Sequence, residues 1–166
     1  MNISKNFRKF FFSIEVVSSS LIIIIIFALD RVSKISVINQ QIKSNKSIFV
    51  NDYLNFDLVW NTGIGFGLLS QNANFYYHTI SLLIFLVIIF LGYLISKSNI
   101  IDKTLYSIIL GGALGNFYDR LIYFAVPDFI DIHINTFHWF TFNIADIFIT
   151  LGVIFLIIRD LILNKK

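Results

Sequence analysis

The chain has 166 residues, of which 57% are hydrophobic and 14% charged. Soluble domains average about 45–50% apolar and about 25% charged residues, so both values indicate an integral membrane protein, and the length fits a single domain over residues 1–166. The absence of cysteine excludes disulfides, thiolate metal sites and a cysteine nucleophile. The formal charge of +3 is explained below by topology and requires no nucleic-acid partner. A single proline and long apolar runs favour helices over a β-barrel.

The first apolar segment follows a basic start. Three basic residues lie in the first nine positions, before Phe10–Leu29, whose only charge is Glu15. At about 1.5 Å per residue, this segment matches a hydrocarbon core of about 30 Å. A cleaved signal peptide has a similar start, but no small-x-small site follows, and the apolar run ends in Asp30-Arg-Val-Ser-Lys34. We therefore predict a first transmembrane helix over approximately residues 10–34.

Residues 35–74 have mixed polarity. Apolar and polar residues alternate over Ser47–Trp60, with asparagine and aspartate turn signals between them, which predicts a β-rich segment. Asn61-Thr-Gly-Ile-Gly-Phe-Gly67 then places three glycines at alternate positions. This spacing lets a backbone turn tightly or approach a ligand, and a simple loop that returns to the membrane face explains it as well.

Three further apolar segments complete the prediction of an all-α membrane protein with four transmembrane helices. These segments cover approximately residues 75–96, 105–126 and 140–162. In the third helix, Gly111 and Gly115 form a small-xxx-small face that allows close packing. Eight of the thirteen lysines and arginines lie before the first helix, between the second and third, or at the C-terminal end. The positive-inside rule therefore places both termini in the cytoplasm, with the β-rich segment and a short connection between helices three and four outside.

Polar residues of the last two helices gather near the outer face. Asn116, Asp119 and Arg120 have the spacing i, i+3, i+4 and are therefore predicted to share a face of the third helix. Asn143 and Asp146, at i and i+3, share a face of the fourth. A carboxylate at membrane depth is costly unless it is paired, protonated or facing water, so each aspartate is a functional-site hypothesis.

Asp128 lies in the outer connection and can meet Asp146 if that connection folds back over the fourth helix. Two carboxylates in a partly desolvated site cannot both ionise easily, so such a pair holds a shared proton. The ionised member can activate a water while the protonated member assists the carbonyl or the leaving amine. The structural alternative is that the aspartates cap helices or balance Arg120 and Arg31. Spacing alone does not assign base and acid.

Other chemistries have weaker support. His78, His133 and His138 show no recognisable metal-ligand spacing. Ser33 and Lys34 are adjacent on a helix and point to different faces, which argues against a Ser–Lys dyad. No glycine-rich phosphate loop precedes a helix.

Two functions outside peptidase chemistry are also open. In a small transporter, Asp119 and Asp146 would bind a proton or a cation. In an assembly protein without enzymatic activity, the Gly111 and Gly115 face would pack against a partner helix. Replacing the aspartates would abolish transport in the first case, and replacing Asp128 would be silent in the second.

Five sequence blocks occur in order between Asp30 and Gly152. They are Asp30-Arg-Val-Ser-Lys34, Asn61-Thr-Gly-Ile-Gly-Phe-Gly67, Gly111-Gly-Ala-Leu-Gly-Asn-Phe-Tyr-Asp-Arg120, Val126-Pro-Asp-Phe-Ile-Asp131 and Phe142-Asn-Ile-Ala-Asp146. In this order and spacing they resemble the lipoprotein signal peptidases, also called signal peptidase II. The last three blocks are highly specific, whereas the first alone would not be.

The resemblance implies an aspartic endopeptidase of the bacterial inner membrane, with four helices and a small extracytoplasmic β-domain. Such enzymes cleave a prolipoprotein just before a cysteine that bears diacylglycerol. The implied catalytic pair is Asp128 and Asp146, without metal or cofactor. Positions implied to bind substrate or support the pair are Asn61, Gly63, Asn116, Asp119, Arg120, Asn143 and Asp30. We expect a monomer whose partners are prolipoproteins and membrane lipid, not nucleic acid, with its active site near the extracytoplasmic face.

Two residues depart from the usual family pattern. Gly65 stands where alanine is usual, which should be tolerated. Pro127 precedes Asp128 where an aliphatic residue is usual. Because proline fixes its own φ and biases Val126 toward extended geometry, we expect Pro127 to end the third helix and shift Asp128 slightly without abolishing the site. Asp131 receives no firm role.

Overall fold

The computed structural model describes residues 14–44, 46–63 and 74–163. Within these residues the helices are α1 Ile14–Ser44, α2 Asn74–Lys97, α3 Ile100–Tyr123 and α4 Ile144–Leu163. The strands are β1 Ile48–Asn51, β2 Leu54–Asn61, β3 Val126–Ile134 and β4 Phe137–His138, which form one antiparallel sheet in the order β1-β2-β3-β4. The described chain is therefore mostly helical, with a small antiparallel sheet.

The sheet agrees with the predicted small β-rich segment and extends it into the connection between the last two helices. Instead of a short outer connection between the last two helices, the chain forms β3 and β4. β3 pairs with β2 from Leu54 opposite Ile132 to Asn61 opposite Val126, so each strand satisfies the backbone groups of the other. The strands thus come from two distant parts of the sequence. The predicted β-rich segment 35–74 supplies only β1 and β2 to the described sheet.

The first helix also differs from its prediction. It was expected over residues 10–34, but α1 continues to Ser44, and residues before its first described position lie outside the structure. Its last turns are tied to the sheet, because the side chain of Gln41 donates to the carbonyl oxygen of Phe56 at 3.0 Å and accepts from the amide of Leu58 at 2.9 Å. These tertiary hydrogen bonds stabilise the helical conformation of the polar residues at the end of α1. The composition of that segment alone does not predict a helix.

Side-chain caps set the ends of the last two helices. α3 was predicted over residues 105–126, but it begins earlier because the Asn99 side chain accepts from the amides of the first turn. It ends at Phe124, a left-handed C-cap with φ of 55°. α4 was predicted over residues 140–162 and instead begins at Ile144, after a cap at Asn143 that belongs to the candidate site.

One helical stretch in the described residues, Tyr77–Lys97, is long and apolar enough to cross a membrane by length and composition, with a mean hydropathy of 2.6. The other three long helices each carry at least three charged residues. Their surfaces are nevertheless rich in exposed apolar side chains, such as Ile24, Leu121 and Ile157. Four transmembrane helices are not confirmed by this measure and stay a prediction.

The glycines of α3 allow close approach of neighbouring helices. A Cβ on Gly115 would lie 2.5 Å from an Asp30 carboxylate oxygen, and one on Gly111 would lie 2.9 Å from the Cβ of Ile26. The small-residue face is therefore occupied by α1 of the same chain and not left for a partner helix. Its consequence for the site is that Asp30 is brought directly against α3.

Candidate active site

Asp128 and Asp146 lie on one cavity of about 380 Å³. Asp128 belongs to β3 and Asp146 to the first turn of α4, and their residues are 1% and 8% exposed. The apolar walls come mainly from the three neighbouring helices: Ile80, Leu83, Ile84, Val87, Ile109, Ala113, Val126 and Ile149. The predicted folding-back of the outer connection therefore occurs, and it takes place by strand pairing.

Asn143 connects the two aspartates. Its side-chain oxygen accepts from the amide of Asp146 at 3.1 Å, while a carboxylate oxygen of Asp146 accepts from the amide of Asn143 at 3.1 Å. This reciprocal arrangement is a capping box with aspartate in place of the usual glutamate. The remaining donor, Nδ2 of Asn143, bonds Asp128 Oδ1 at 2.6 Å. One asparagine thus begins α4 and orients both carboxylates.

Two further asparagines complete the hydrogen bonds to the pair. Asn61 Nδ2 donates to Asp128 Oδ2 at 2.9 Å, and Asn116 Nδ2 donates to Asp146 Oδ1 at 2.8 Å. The Asn61 amide is oriented by Gly63, whose backbone amide donates to Asn61 Oδ1 at 2.9 Å. Each aspartate therefore accepts from two amide donors, which hold both carboxylates in fixed positions.

The surroundings of Asp128 alter its titration. Burial raises the pKa of Asp128 to about 6, and the charge of Asp146 acts in the same direction. The hydrogen bonds from Asn61 and Asn143 and the charge of Lys34 oppose this rise. A carboxyl group with a pKa near neutral can both accept and release a proton, which suits acid–base chemistry.

A buried charge network lies next to the pair, centred on Lys34. Lys34 Nζ donates to Asp30 at 2.8 Å, to Asp119 at 2.7 Å and to the side-chain oxygen of Asn116 at 2.9 Å. Arg31 forms an ion pair with Asp119 at 2.6 Å. Two cations thus balance two anions, as buried charges require.

The network supports the site through two bonds. Lys34 donates a hydrogen bond to the side-chain oxygen of Asn116, and this fixes the amide so that its nitrogen faces Asp146. Asp30 accepts from the backbone amide of Ala145 at 3.1 Å and so satisfies a further free donor of the first turn of α4. Asp30 and Asp119 thus contact Lys34, and Asp30 also contacts the first turn of α4. The sequence could have indicated the role of Lys34, because Lys34 lies four residues after Asp30 in an otherwise apolar helix, a spacing that predicts an ion pair.

The predicted common face of α3 is divided in the structure. Asp119 points toward α1, whereas Arg120 lines the cavity with its guanidinium 5.4 Å from the ring centre of Tyr77. Tyr77 in turn donates its hydroxyl to the backbone oxygen of Arg120. Consecutive residues lie about 100° apart on a helix, so the two charges face different neighbours. Arg31 thus balances Asp119, as the structural alternative expects, whereas no ion pair among the described residues joins Arg120 to an aspartate.

Pro127 does not end the helix before it. α3 has already ended when the chain reaches Pro127, which lies within β3 opposite Trp60. Val126 is extended, as the residue before proline should be. Gly65 and Gly67 lie outside the described residues.

Two solved structures of bacterial membrane enzymes, determined by the in meso method at 2.3 and 1.9 Å resolution, share this fold. The first has a TM-score of 0.72 and 34% identity over 91% of this chain and 93% of its own. The second has a TM-score of 0.71 and 33% identity over 87% and 92%. The chain therefore has the fold of a bacterial membrane enzyme and is an integral membrane protein.

Sequence comparison makes this class more specific. The family described as signal peptidase (SPase) II matches residues 22–162. The lipoprotein signal peptidase of Pelagibacter ubique (strain HTCC1062) is 44% identical over 146 residues, which are 87% of this chain and 88% of that protein. That of Francisella tularensis subsp. novicida (strain U112) is 41% identical over 150 residues, or 86% and 91%. The chain belongs to the signal peptidase II family, which confirms the resemblance of its sequence blocks.

Proposed function

We propose that the protein is an aspartic endopeptidase that removes signal peptides from prolipoproteins, cutting just before a cysteine that bears diacylglycerol. The observation that carries this proposal is the position of Asp128 and Asp146 on one largely apolar cavity, each held by two amide donors. Membership of the signal peptidase II family supports the reaction class, and the two relatives named above are lipoprotein signal peptidases.

Asp128 and Asp146 act as a pair that holds one proton. The ionised carboxylate takes a proton from a water molecule as its oxygen attacks the scissile carbonyl carbon, and the carbonyl π electrons move to oxygen. When the tetrahedral intermediate collapses, the C–N bond breaks and a protonated carboxyl group gives its proton to the leaving amine of the lipidated cysteine. The pair again holds one proton, so the cycle closes without any other reagent.

Polar groups around the pair suit the substrate backbone. Arg120 is 3% exposed, and its Nη1 atom has no hydrogen-bond partner in the part of the chain that the structure describes. Because Arg120 lines the same cavity as the aspartates, this donor is available to a substrate carbonyl. Asn61 and Asn116, beside it, hold the carboxylates and complete a polar floor under apolar walls.

Two apolar grooves meet at Asp146 and fit the two apolar parts of the proposed substrate. The first is the cavity between the helices, and the second has a volume of about 470 Å³. The second groove is lined by Ile132, Trp139, Phe140, Phe142, Ile147, Thr150 and Leu151 in addition to Asp146. The signal helix would lie in one groove and the diacylglyceryl chains in the other. The scissile bond, which lies between these two parts of the substrate, would then be placed at the aspartates.

The proposed setting is the bacterial cell membrane, with both termini cytoplasmic and the site near the outer face. Eight of the thirteen basic residues then lie on the cytoplasmic side, as the positive-inside rule requires. Ion pairs between Lys103 and Glu15 and between Arg159 and Asp102 join the helices at the proposed cytoplasmic end. The sheet, with Asp128, lies at the opposite end. A monomer is sufficient, because one chain supplies both aspartates.

A cleavage assay with two matched precursors tests the proposal. The purified protein is incubated with a diacylglyceryl-modified prolipoprotein and with the same precursor lacking the modification, and products are identified by mass spectrometry. We expect cleavage of the modified precursor alone, at the bond before the cysteine. Cleavage at another bond, equal cleavage of both precursors, or intact precursor in both reactions would contradict the proposed activity.

A further inference from the structure

The β3–β4 hairpin gathers three possible metal ligands that spacing in the sequence did not reveal. His133 and His138 are opposite each other in the strand register, with their rings stacked at 5.0 Å. His138 Nδ1 lies 2.9 Å from Asp131 Oδ2, and His133 Nδ1 lies 3.7 Å from the same oxygen. The candidate ligand atoms of all three residues lie within 4.8 Å of one another.

One nitrogen of this cluster is left unsatisfied by the protein. His133 Nδ1 is buried and has no hydrogen-bond partner among the described residues, and the side chain is only 11% exposed. Its 3.7 Å distance to Asp131 is too long for a hydrogen bond. Buried polar atoms normally have a partner, so an atom of this kind points to a missing ligand.

The negative charge of Asp131 also favours a bound cation. Asp131 is 5% exposed, and its ion-pair partners in the described part of the chain are the two histidines, with no lysine or arginine. A buried carboxylate without a lysine or arginine beside it lacks the permanently charged partner that buried charges normally have. A divalent cation between the three side chains would supply that charge and a partner for His133 together.

We propose that Asp131, His133 and His138 bind a divalent transition-metal ion, with Zn²⁺ as the best fit. Two imidazole nitrogens and one carboxylate oxygen are a ligand set that suits zinc. Tetrahedral bonds of about 2.1 Å place neighbouring ligand atoms about 3.4 Å apart. The observed separations of 2.9 and 3.7 Å from Asp131 Oδ2 lie on either side of that value, and the stacked imidazoles would turn toward the ion as it binds.

A fourth ligand would come from the open side of the cluster. Asp131 and His138 line a cavity of about 600 Å³ on the sheet, which is roomy enough for a coordinated water. The metal would join β4 to β3, the strand that carries Asp128, and so stabilise the hairpin. It has no part in the proposed hydrolysis, and its binding is measured independently of that reaction.

The test is titration of the full chain, purified without a polyhistidine tag and treated with a chelator, with ZnCl₂ in a calorimeter. We expect saturable binding of one Zn²⁺ per chain and a rise in the thermal midpoint. His78→Ala, a histidine on α2 outside the cluster, should bind like the wild type. The double substitution of His133→Ala and His138→Ala should abolish binding and the thermal shift.

Two further measurements distinguish a loss of metal binding from misfolding of a variant. The metal-free double variant should match the metal-free wild type in circular dichroism. His138→Gln, at a half-exposed side chain, should fold normally and bind Zn²⁺ at least about 10-fold more weakly. The absence of saturable binding to the wild type, or wild-type affinity in the double variant or in His138→Gln, would overturn the proposal.

Discussion

Replacing Asn143 with serine removes one specific contact and retains the cap of α4. Serine is about as good an N-cap as asparagine, so its hydroxyl can still accept from the amide of Asp146. The lost group is the Nδ2 donor that bonds Asp128 at 2.6 Å. The variant should therefore still form α4, while the carboxylate of Asp128 loses one of its two amide donors.

The magnitude of the effect follows from this bond. A hydrogen bond to a charged group contributes about 1.5–3 kcal/mol, and about 1.4 kcal/mol corresponds to one pH unit in titration. The bond stabilises the ionised form, so its loss raises the pKa of Asp128 above the wild-type value of about 6. The acid limb of the pH profile of kcat/KM, which reports the titration of the pair, should move upward by about one to two pH units.

The assay is the cleavage of a lipid-modified precursor, with kcat/KM measured across acidic and neutral pH. Asn99→Ser is a matched control, because Asn99 also caps a helix and its Nδ2 also donates to a carboxylate, that of Asp102, at 2.7 Å. Its acid limb should coincide with that of the wild type. An unmoved limb in Asn143→Ser, or equal shifts in both variants, would refute the reasoning.

Three other predictions concern the buried network, the helix packing and the reaction. Lys34→Met leaves Asp30 and Asp119 without their shared cation, so denaturation should show a loss of about 3–5 kcal/mol, and a loss below about 1 kcal/mol would contradict the network. Gly115→Ala places a Cβ 2.5 Å from an Asp30 oxygen and should lower the thermal midpoint, whereas Gly92→Ala, with nothing within 4 Å, should not; equal effects would argue against close packing. Chelators should leave the cleavage rate unchanged below the thermal midpoint of the metal-free protein, and strong inhibition there would indicate a metal in catalysis.

Spacing predicted only the Asp146 side of the site, whereas Asp128 was chosen as its partner from the family resemblance. Asn143 and Asp146 are one helical turn apart, so their shared face follows from spacing, and the structure makes them a reciprocal cap. Their catalytic role stays a prediction. The same helix rule misled for Asp119 and Arg120, because adjacent residues on α3 face different neighbours.

Features that depend on distant partners were not predictable from spacing. The hydrogen-bond partners of Lys34 include Asn116 and Asp119 on another helix. A single sequence does not show which face of α1 packs against α3. Strand β3 was hidden because Pro127 and Asp128, both weak strand formers, interrupt its apolar pattern, and its stability comes from pairing with β2. The approach of His133 to His138 likewise depends on the register of the hairpin.

The proposal that Asp128 and Asp146 are the catalytic pair is tested most directly by the cleavage rates of Asp128→Asn and Asp146→Asn. The control is Asp57→Asn, an exposed aspartate on β2, and circular dichroism checks the fold of each protein. Both site variants should lose at least about 100-fold in rate, because each removes a group that transfers a proton, while the control retains the wild-type rate. Near-normal cleavage by either folded site variant would contradict the proposal.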